Sequence, residues 1–186
     1  MKVHYSIWRK SKITITVIAF AMLILGIEKS WAQEVTTTIN LVLSDVLSID
    51  PGSAAIDGTV DFHYENVNDY NSEKTATVPN SLIITFTKPF DLKVKANGEH
   101  FENGAHLIPV NVLTVKVNES SKIKGTSNPI VISTQDQTLI SSAGRGSKLN
   151  LDLDYSIPEA RSASTDILGK AAGKYTQMIT YTVSAL

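Results

Sequence analysis

The stretch GKYTQMITYTVSAL, residues 173–186, ends the sequence and decides the fold. From Tyr175 onward its apolar side chains fall at every second position, with Gln177 as the one polar interruption of that face. This period of two predicts a β-strand with one buried and one solvent-facing side. An end strand leaves an edge of unpaired backbone groups, so we expect an N-terminal strand to cover it. The apolar face comprises Tyr175, Ile179, Tyr181, Val183 and Ala185.

The first 32 residues have the composition of a secretory signal peptide. A basic head, with lysine or arginine at positions 2, 9, 10 and 12, precedes an uncharged apolar run at residues 13–27. Ser30 and Ala32 then place small side chains three and one residues before a cleavage point. The apolar run is shorter than the about 20 residues that a membrane span needs. The pattern predicts export and cleavage after Ala32, and the alternative is an uncleaved N-terminal anchor.

The mature chain, residues 33–186, is predicted to form one domain in the periplasm, at the cell surface or outside the cell. Removal of residues 1–32 takes away five basic residues and one acidic residue, which leaves 12 basic and 17 acidic residues and a net charge of −5. An acidic surface disfavours nucleic acids and anionic membranes as partners, and we expect no membrane span after processing. The chain has no cysteine, so packing alone must stabilise the domain.

Alternation of apolar and polar residues recurs along the mature chain. It is found in residues 35–43, 60–64, 82–86, 90–96 and 149–155. The apolar phase slips by one residue between Val112 and Leu113, which predicts a β-bulge. Helical periodicity is absent from residues 33–186, so these segments predict an all-β, antiparallel β-sandwich of about eight strands. The predicted core comprises Ile84, Phe86, Leu92, Val94, Val112, Leu151, Leu153, Ile179 and Tyr181.

The residue types of catalytic and metal sites do not form a convincing pattern. His100 and His106 share one loop, but spacing suggests no third metal ligand. Asp152 and Asp154 lie two apart on one strand, which is the spacing of a glycosidase or calcium pair but more often of a solvated face. The sequence therefore predicts no enzyme and no catalytic, cofactor-binding or metal residue.

The turn before the last strand, Ala-Ala-Gly-Lys-Tyr at residues 171–175, resembles the tyrosine corner of immunoglobulin-like domains. In that corner a tyrosine near the start of strand F hydrogen-bonds back to the chain a few residues upstream. Tyr175 occupies the matching position. The resemblance implies an immunoglobulin-like sandwich in which the strand that normally follows strand F is missing.

Together these features resemble bacterial fimbrial subunits, namely the pilins of chaperone–usher systems and the spore-coat-U type. Those families combine a signal peptide, one small β-domain, a final strand of alternating Thr and Val, and an alternating N-terminal segment. In pilins that segment is donated to a neighbouring subunit. The resemblance implies a strand-pairing interface between an N-terminal segment and the final strand. The N-terminal side comprises Val35, Thr37, Ile39, Leu41 and Leu43, and the final strand contributes Tyr175, Ile179, Tyr181 and Val183.

The partner of that interface is left open by the sequence. The N-terminal segment either pairs with the last strand of its own chain or is donated to a copy or a related subunit.

Three functions follow from these patterns. The first is a secreted or cell-surface structural or adhesive protein, pilin-like, that acts through strand pairing. The second is a monomeric envelope module that binds glycan or peptidoglycan through loops such as residues 98–106, although the mature chain lacks the exposed tryptophan that sugar binders favour. The third is a secreted hydrolase, which the missing catalytic pattern disfavours.

The signal peptide gives the first testable prediction. Because the cleavage point follows Ala32, the exported protein should begin at Gln33 and contain neither tryptophan nor cysteine. Intact-mass measurement checks this. A full-length mass, or fractionation with integral membrane proteins, would show that the segment is an anchor.

Overall fold

The structure, a computed structural model, describes residues 36–186. The chain divides into two units, Met1–Val42 and Leu43–Leu186, and the fold described here is that of the second. The predicted signal peptide and Val35 lie outside the described residues. Within residues 36–186, no helix is long and apolar enough to cross a membrane.

The second unit is an antiparallel β-sandwich, which confirms the predicted all-β fold. One sheet has the strand order β1-β2-β10-β6-β8 and the other has the order β11-β3-β9-β7, while β4 and β5 form a separate hairpin. The strands are β1 (Leu47–Ile49), β2 (Lys74–Phe86), β3 (Phe90–Ala96), β4 (His100–Asn103), β5 (His106–Pro109), β6 (Thr114–Val117), β7 (Thr126–Ser127), β8 (Ile130–Val131), β9 (Gln137–Ala143), β10 (Gly146–Ile157) and β11 (Ile179–Ala185). Two single-turn helices, α1 (Val67–Tyr70) and α2 (Glu159–Ser162), and a 3₁₀ helix (Val110–Val112) complete the described elements.

The core lies between the two sheets, where the alternating strands point their apolar side chains. In β3 all four apolar residues are buried, at 0–2% exposure, while the lysines and the aspartate between them reach solvent. Seven of the nine predicted core residues are buried: Ile84, Phe86, Leu92, Val94, Val112, Leu151 and Leu153. Ile179 and Tyr181 are only half-buried. They differ because β11 is the end strand of its sheet within residues 36–186, with β3 as its strand neighbour on one side.

Several local predictions were wrong. Residues 36–186 contain eleven strands, so the predicted number of about eight was too low. The slip between Val112 and Leu113 is not a bulge, because the 3₁₀ helix Val110–Val112 turns the chain there. Residues 60–64 alternate in burial as expected but belong to no strand ladder. The alternation reflects how their side chains pack on the core, and it does not require pairing.

The acidic pair on β10 is structural. The predicted solvated face is wrong for Asp154, which is 7% exposed because β10 lies between β2 and β6. Its carboxylate accepts hydrogen bonds from Thr77 Oγ1 at 2.6 Å and Asn118 Nδ2 at 2.9 Å, and Lys116 Nζ lies 3.6 Å away. Burial acts to raise the pKa of Asp154, but these hydrogen bonds outweigh it and hold that pKa below its ordinary value.

Asp152 replaces a backbone hydrogen bond that is lost at an irregularity in the β2–β10 ladder. The register shifts where Leu151 pairs with Leu82 and Leu153 pairs with Val78, so β2 carries extra residues at this point. Pro79, which has no N–H to donate, lies within that bulge. Asp152 Oδ1 accepts the freed N–H of Asn80 at 2.6 Å, so its carboxylate compensates for a lost ladder bond.

The burial pattern predicts which truncations destabilise the sandwich. Leu151→Ala should lower the free energy of unfolding by about 2–5 kcal/mol, because it empties a fully buried site. Thr182→Ala on the exposed face of β11 should cost less than about 1 kcal/mol. Urea unfolding followed by circular dichroism measures both. Equal losses would mean that the assigned faces are wrong.

Candidate functional site

The outer edge of β11 is the first candidate site. β11 pairs with β3 in register from Ile179 opposite Ala96 to Ala185 opposite Phe90. At the two ends, Asn97 N–H donates to Met178 O at 3.0 Å and Leu186 N–H donates to Pro89 O at 3.1 Å. Bonded and non-bonded residues alternate in an antiparallel ladder, so the even-numbered residues of β11 bond to β3. The odd-numbered residues, Ile179, Tyr181, Val183 and Ala185, therefore direct their N–H and C=O groups away from β3.

Side-chain bonds hold this edge in position. The Tyr181 hydroxyl lies 2.7 Å from the hydroxyl of Tyr155 on β10, in the opposite sheet. Burial raises the pKa of Tyr181 well above its usual value, which keeps the phenol neutral and able to share that hydrogen bond. Thr180 Oγ1 donates to Asn97 Oδ1 at 2.6 Å on the other face. These two side-chain hydrogen bonds therefore hold β11 in position against the rest of the sandwich.

The start of the final segment contains the corner bond expected from the sequence. Tyr175 donates its hydroxyl hydrogen to Ala171 O at 2.8 Å, four residues upstream, as the tyrosine-corner interpretation predicts. Thr176 then exchanges two backbone hydrogen bonds of 3.0 Å with Glu102 on β4. Tyr175 is thus a positioning residue at the entry to β11.

The predicted N-terminal partner is exposed in the part that the structure describes. Residues 36–43 belong to no strand or helix, and Ile39, Leu41 and Leu43 are 88%, 82% and 82% exposed. The first strand, β1, begins only at Leu47 and pairs with β2. Among the described residues, the ladder partner of β11 is β3. Pairing of Val35, Thr37, Ile39, Leu41 and Leu43 with the final strand remains a prediction.

An aromatic cleft of about 630 Å³ is the second candidate site. Residues 60–65 form one wall and residues 170–175 form the other, and buried Val112, Ile157 and Ile167 contribute to its apolar lining. Five half-buried aromatic side chains line it: Phe62, Tyr64, Tyr70, Phe101 and Tyr175. Of the other four aromatics of residues 36–186, Phe86, Phe90 and Tyr155 are buried in the core, and the half-buried Tyr181 packs against it from β11. The remaining five aromatic side chains of residues 36–186 therefore all line one cleft.

The first wall of the cleft is fixed by a capping box on α1. Asn66 Oδ1 accepts the N–H of Asn68, and Asp69 Oδ2 accepts the N–H groups of Glu65 and Asn66 at 2.8 and 3.0 Å. Lys74 Nζ donates to Asp69 Oδ1 at 2.6 Å. The hydrogen bond from Lys74 is the largest cause that lowers the pKa of Asp69, and the two backbone hydrogen bonds come next. Together they bring this pKa to about 2. The box fixes the position of Tyr70 at the end of α1.

Tyr64 is held from both sides. Its hydroxyl lies 2.8 Å from Ser162 Oγ on α2, and its ring centroid lies 5.0 Å from that of Tyr70. Lys74 Nζ lies 5.7 Å from the ring centroid, within the range of a cation–π contact. Burial raises the pKa of Tyr64, although the hydrogen bond with Ser162 acts to lower it. These contacts hold the ring of Tyr64 in the lining of the cleft.

The charged groups at the cleft balance one another. Asp61 Oδ1 and Lys174 Nζ lie 4.0 Å apart and link the two walls, and His63 lies 4.0 Å from Glu65. Lys170 supplies the remaining positive charge of the lining. Two carboxylates and two ammonium groups give a net charge of zero with histidine neutral, so the cleft does not favour a strongly charged ligand.

The structure separates His100 from His106. In the β4–β5 hairpin His100 lies opposite Pro109 and His106 lies opposite Asn103, so they occupy opposite ends of the ladder. No group of three or more potential metal ligands occurs among residues 36–186. His63, by contrast, lines the aromatic cleft.

The cleft was missed by sequence reasoning because its aromatics come from separate parts of the chain. In the sequence, Phe62 and Tyr64 fall in the alternating segment 60–64, Phe101 falls in the loop at residues 98–106, and Tyr70 falls in neither. The signal in the sequence that could have indicated the cleft is that few aromatic residues lie outside the strands whose alternation identifies a buried face. Only the tertiary fold brings those few together.

No protein-family model matches the chain, and no curated protein matches its sequence. A functional proposal therefore depends on the β11 edge and the aromatic cleft.

The low pKa of Asp69 gives a pH prediction. Its folded-state pKa of about 2 lies below the ordinary value of 3.8, so the ionised carboxylate stabilises the fold above about pH 4 and this contribution disappears as the pH falls toward 2. Asp69→Asn should remove that part of the acid sensitivity. Urea unfolding between pH 2 and 7, followed by tyrosine fluorescence, measures it.

The control for this prediction is Glu119→Gln, which alters an exposed acid outside the cap. The difference in stability between wild type and Asp69→Asn should shrink as the pH falls, and Glu119→Gln should show no such trend. A difference for Asp69→Asn that stays constant from pH 7 to 2 would contradict the assigned role.

Proposed function

We propose that this is a secreted or cell-surface structural or adhesive protein, pilin-like, that works through β-strand pairing. The observation that carries the proposal is the edge of β11 that faces away from β3 and has no strand partner within residues 36–186, with four residues whose backbone groups point outward. Such an edge is a template for addition of another strand.

The half-burial of the inner face of β11 supports strand addition. The apolar residues of its neighbour β3 are almost fully buried, whereas Ile179, Tyr181 and Val183 remain partly exposed. A strand added at the outer edge would bring side chains against these three residues. It would also bond to the outward N–H and C=O groups, so both polar and apolar groups favour the same partner.

The segment at residues 35–43 has the composition of that partner. Thr37, Ile39, Leu41 and Leu43 share one face of an extended chain, and the three aliphatic side chains are more than 80% exposed. Exposed aliphatics at this density are costly unless they are covered. Strand addition would cover them and the β11 edge together, whether the segment comes from the same chain or from a neighbouring copy.

The test blocks the outward backbone groups of β11 and leaves its ladder with β3 intact. Val183→Pro removes an outward N–H, and Val183→Ala removes the same aliphatic side chain while it keeps that N–H. Since proline is tolerated on an edge whose N–H faces solvent, both variants should fold. The readout is binding of a synthetic peptide of residues 35–43 to a protein that lacks those residues, measured by calorimetry.

The peptide should bind the truncated protein and its Val183→Ala variant, and Val183→Pro should abolish binding. Light scattering of the exported protein then identifies the donor. Linear oligomers that survive dilution indicate donation between subunits, and a monomer at every concentration indicates pairing within the chain. Strand addition at β11 would be refuted if the truncated protein does not bind the peptide and remains as soluble and stable as the parent.

A further inference from the structure

We propose that the aromatic cleft binds a neutral, N-acetylated saccharide. The proposal concerns a different surface from the β11 edge and does not depend on strand pairing. It rests on the convergence of the aromatics, the unpaired backbone groups of the walls, the charge balance and the size of the cleft.

The aromatic side chains provide faces for stacking. Phe62, Tyr64, Tyr70, Phe101 and Tyr175 all line the cleft and are half-buried, so part of each side chain remains accessible. The hydroxyls of Tyr64 and Tyr175 bond to Ser162 and Ala171, which fixes these side chains before a ligand binds. Pyranose rings present flat C–H faces that pack on aromatic rings, and fixed rings bind them at a low entropic cost.

The walls of the cleft offer amide groups. Among residues 36–186, no backbone N–H of residues 60–64 or 171–175 has a backbone partner, and none of these groups bonds to a described side chain. A ligand that lies between the walls can bond to these N–H groups and to wall carbonyls other than that of Ala171, which already accepts the Tyr175 hydroxyl. An acetamido group carries one N–H and one C=O, so it pairs with backbone amides as another peptide group does.

Charge and volume limit the ligand further. The lining carries two acidic and two basic side chains, and the Asp61–Lys174 contact links the walls. A phosphate or polyanionic ligand would gain little from such a balanced site. The volume of about 630 Å³ lies within the roughly 300–1,000 Å³ of clefts that hold small molecules. A neutral short oligosaccharide satisfies both limits.

The test compares two trisaccharides with the same linkage. Triacetylchitotriose carries acetamido groups, and cellotriose carries hydroxyls in their place. Isothermal calorimetry with the exported protein should show binding of triacetylchitotriose at least about tenfold tighter than that of cellotriose, because only the first can pair with the wall amides. No detectable binding of triacetylchitotriose at millimolar concentration, or equal affinity for both sugars, would overturn the proposal.

Three variants locate the binding site. Phe62→Ala removes one stacking side chain and should weaken binding about tenfold. Tyr70→Phe keeps the ring, removes a hydroxyl that bonds to no described residue, and should weaken binding about threefold. Leu107→Ala alters a partly exposed aliphatic side chain of β5 outside the cleft and should leave the affinity unchanged. Circular dichroism confirms that each variant is folded, and unchanged affinity in both Phe62→Ala and Tyr70→Phe would refute the assigned site.

Two further measurements separate this proposal from strand pairing. Val183→Pro should bind triacetylchitotriose as the parent does, because β11 residues 179–185 do not line the cleft. The peptide of residues 35–43 should not displace the sugar. Displacement would show that the cleft receives a peptide strand of this chain instead, and would overturn the saccharide proposal while leaving strand pairing intact.

Discussion

The long antiparallel pair of β2 and β10 is the interaction on which the rest of the sandwich depends. These strands have 13 and 12 residues and place Leu82, Ile84, Leu151 and Leu153 in the core. Each is also joined through a short turn to a strand of the opposite sheet, β2 to β3 and β9 to β10. With no cysteine in the chain, the two sheets are held together by this packing, by the turns and by the Tyr155–Tyr181 hydrogen bond. Along this strand pair, Asp152 accepts a backbone hydrogen bond at the bulge that contains Pro79, and Asp154 accepts side-chain hydrogen bonds from Thr77 and Asn118.

The same architecture explains why the candidate sites lie at the margin of the sandwich. Strands in the middle of each sheet have both backbone edges occupied, so they can offer a partner only side chains. Among the described residues, β11 has one edge without a strand partner, and residues 60–64 and 171–175 belong to no ladder. Backbone groups without a partner therefore collect around the final segment of the chain. Recognition by hydrogen bonding to the main chain is possible there and is excluded in the core.

The sequence predicts the sandwich well because alternation records which side of a strand is buried. The interpretation succeeds for β2, β3 and β10, whose apolar side chains face the core as expected. It fails for Ile179 and Tyr181, since burial at an edge depends on a neighbouring strand and not on the strand itself. It fails for Asp154 because the position of β10 in the middle of its sheet cannot be read from local pattern. The cleft brings together residues more than 100 positions apart, such as Phe62 and Tyr175, and alternation carries no information about which distant segments meet.

The bond between Tyr155 and Tyr181 also has a mechanical consequence. A force that pulls β11 along its own axis loads all seven of its register pairs with β3 at once, because the strands slide past each other instead of opening one pair at a time. The tyrosine pair adds a tie to β10 in the other sheet. Tension on β11 is therefore shared between both layers of the sandwich, so a chain of such domains linked through this strand would resist extension until the core itself sheared.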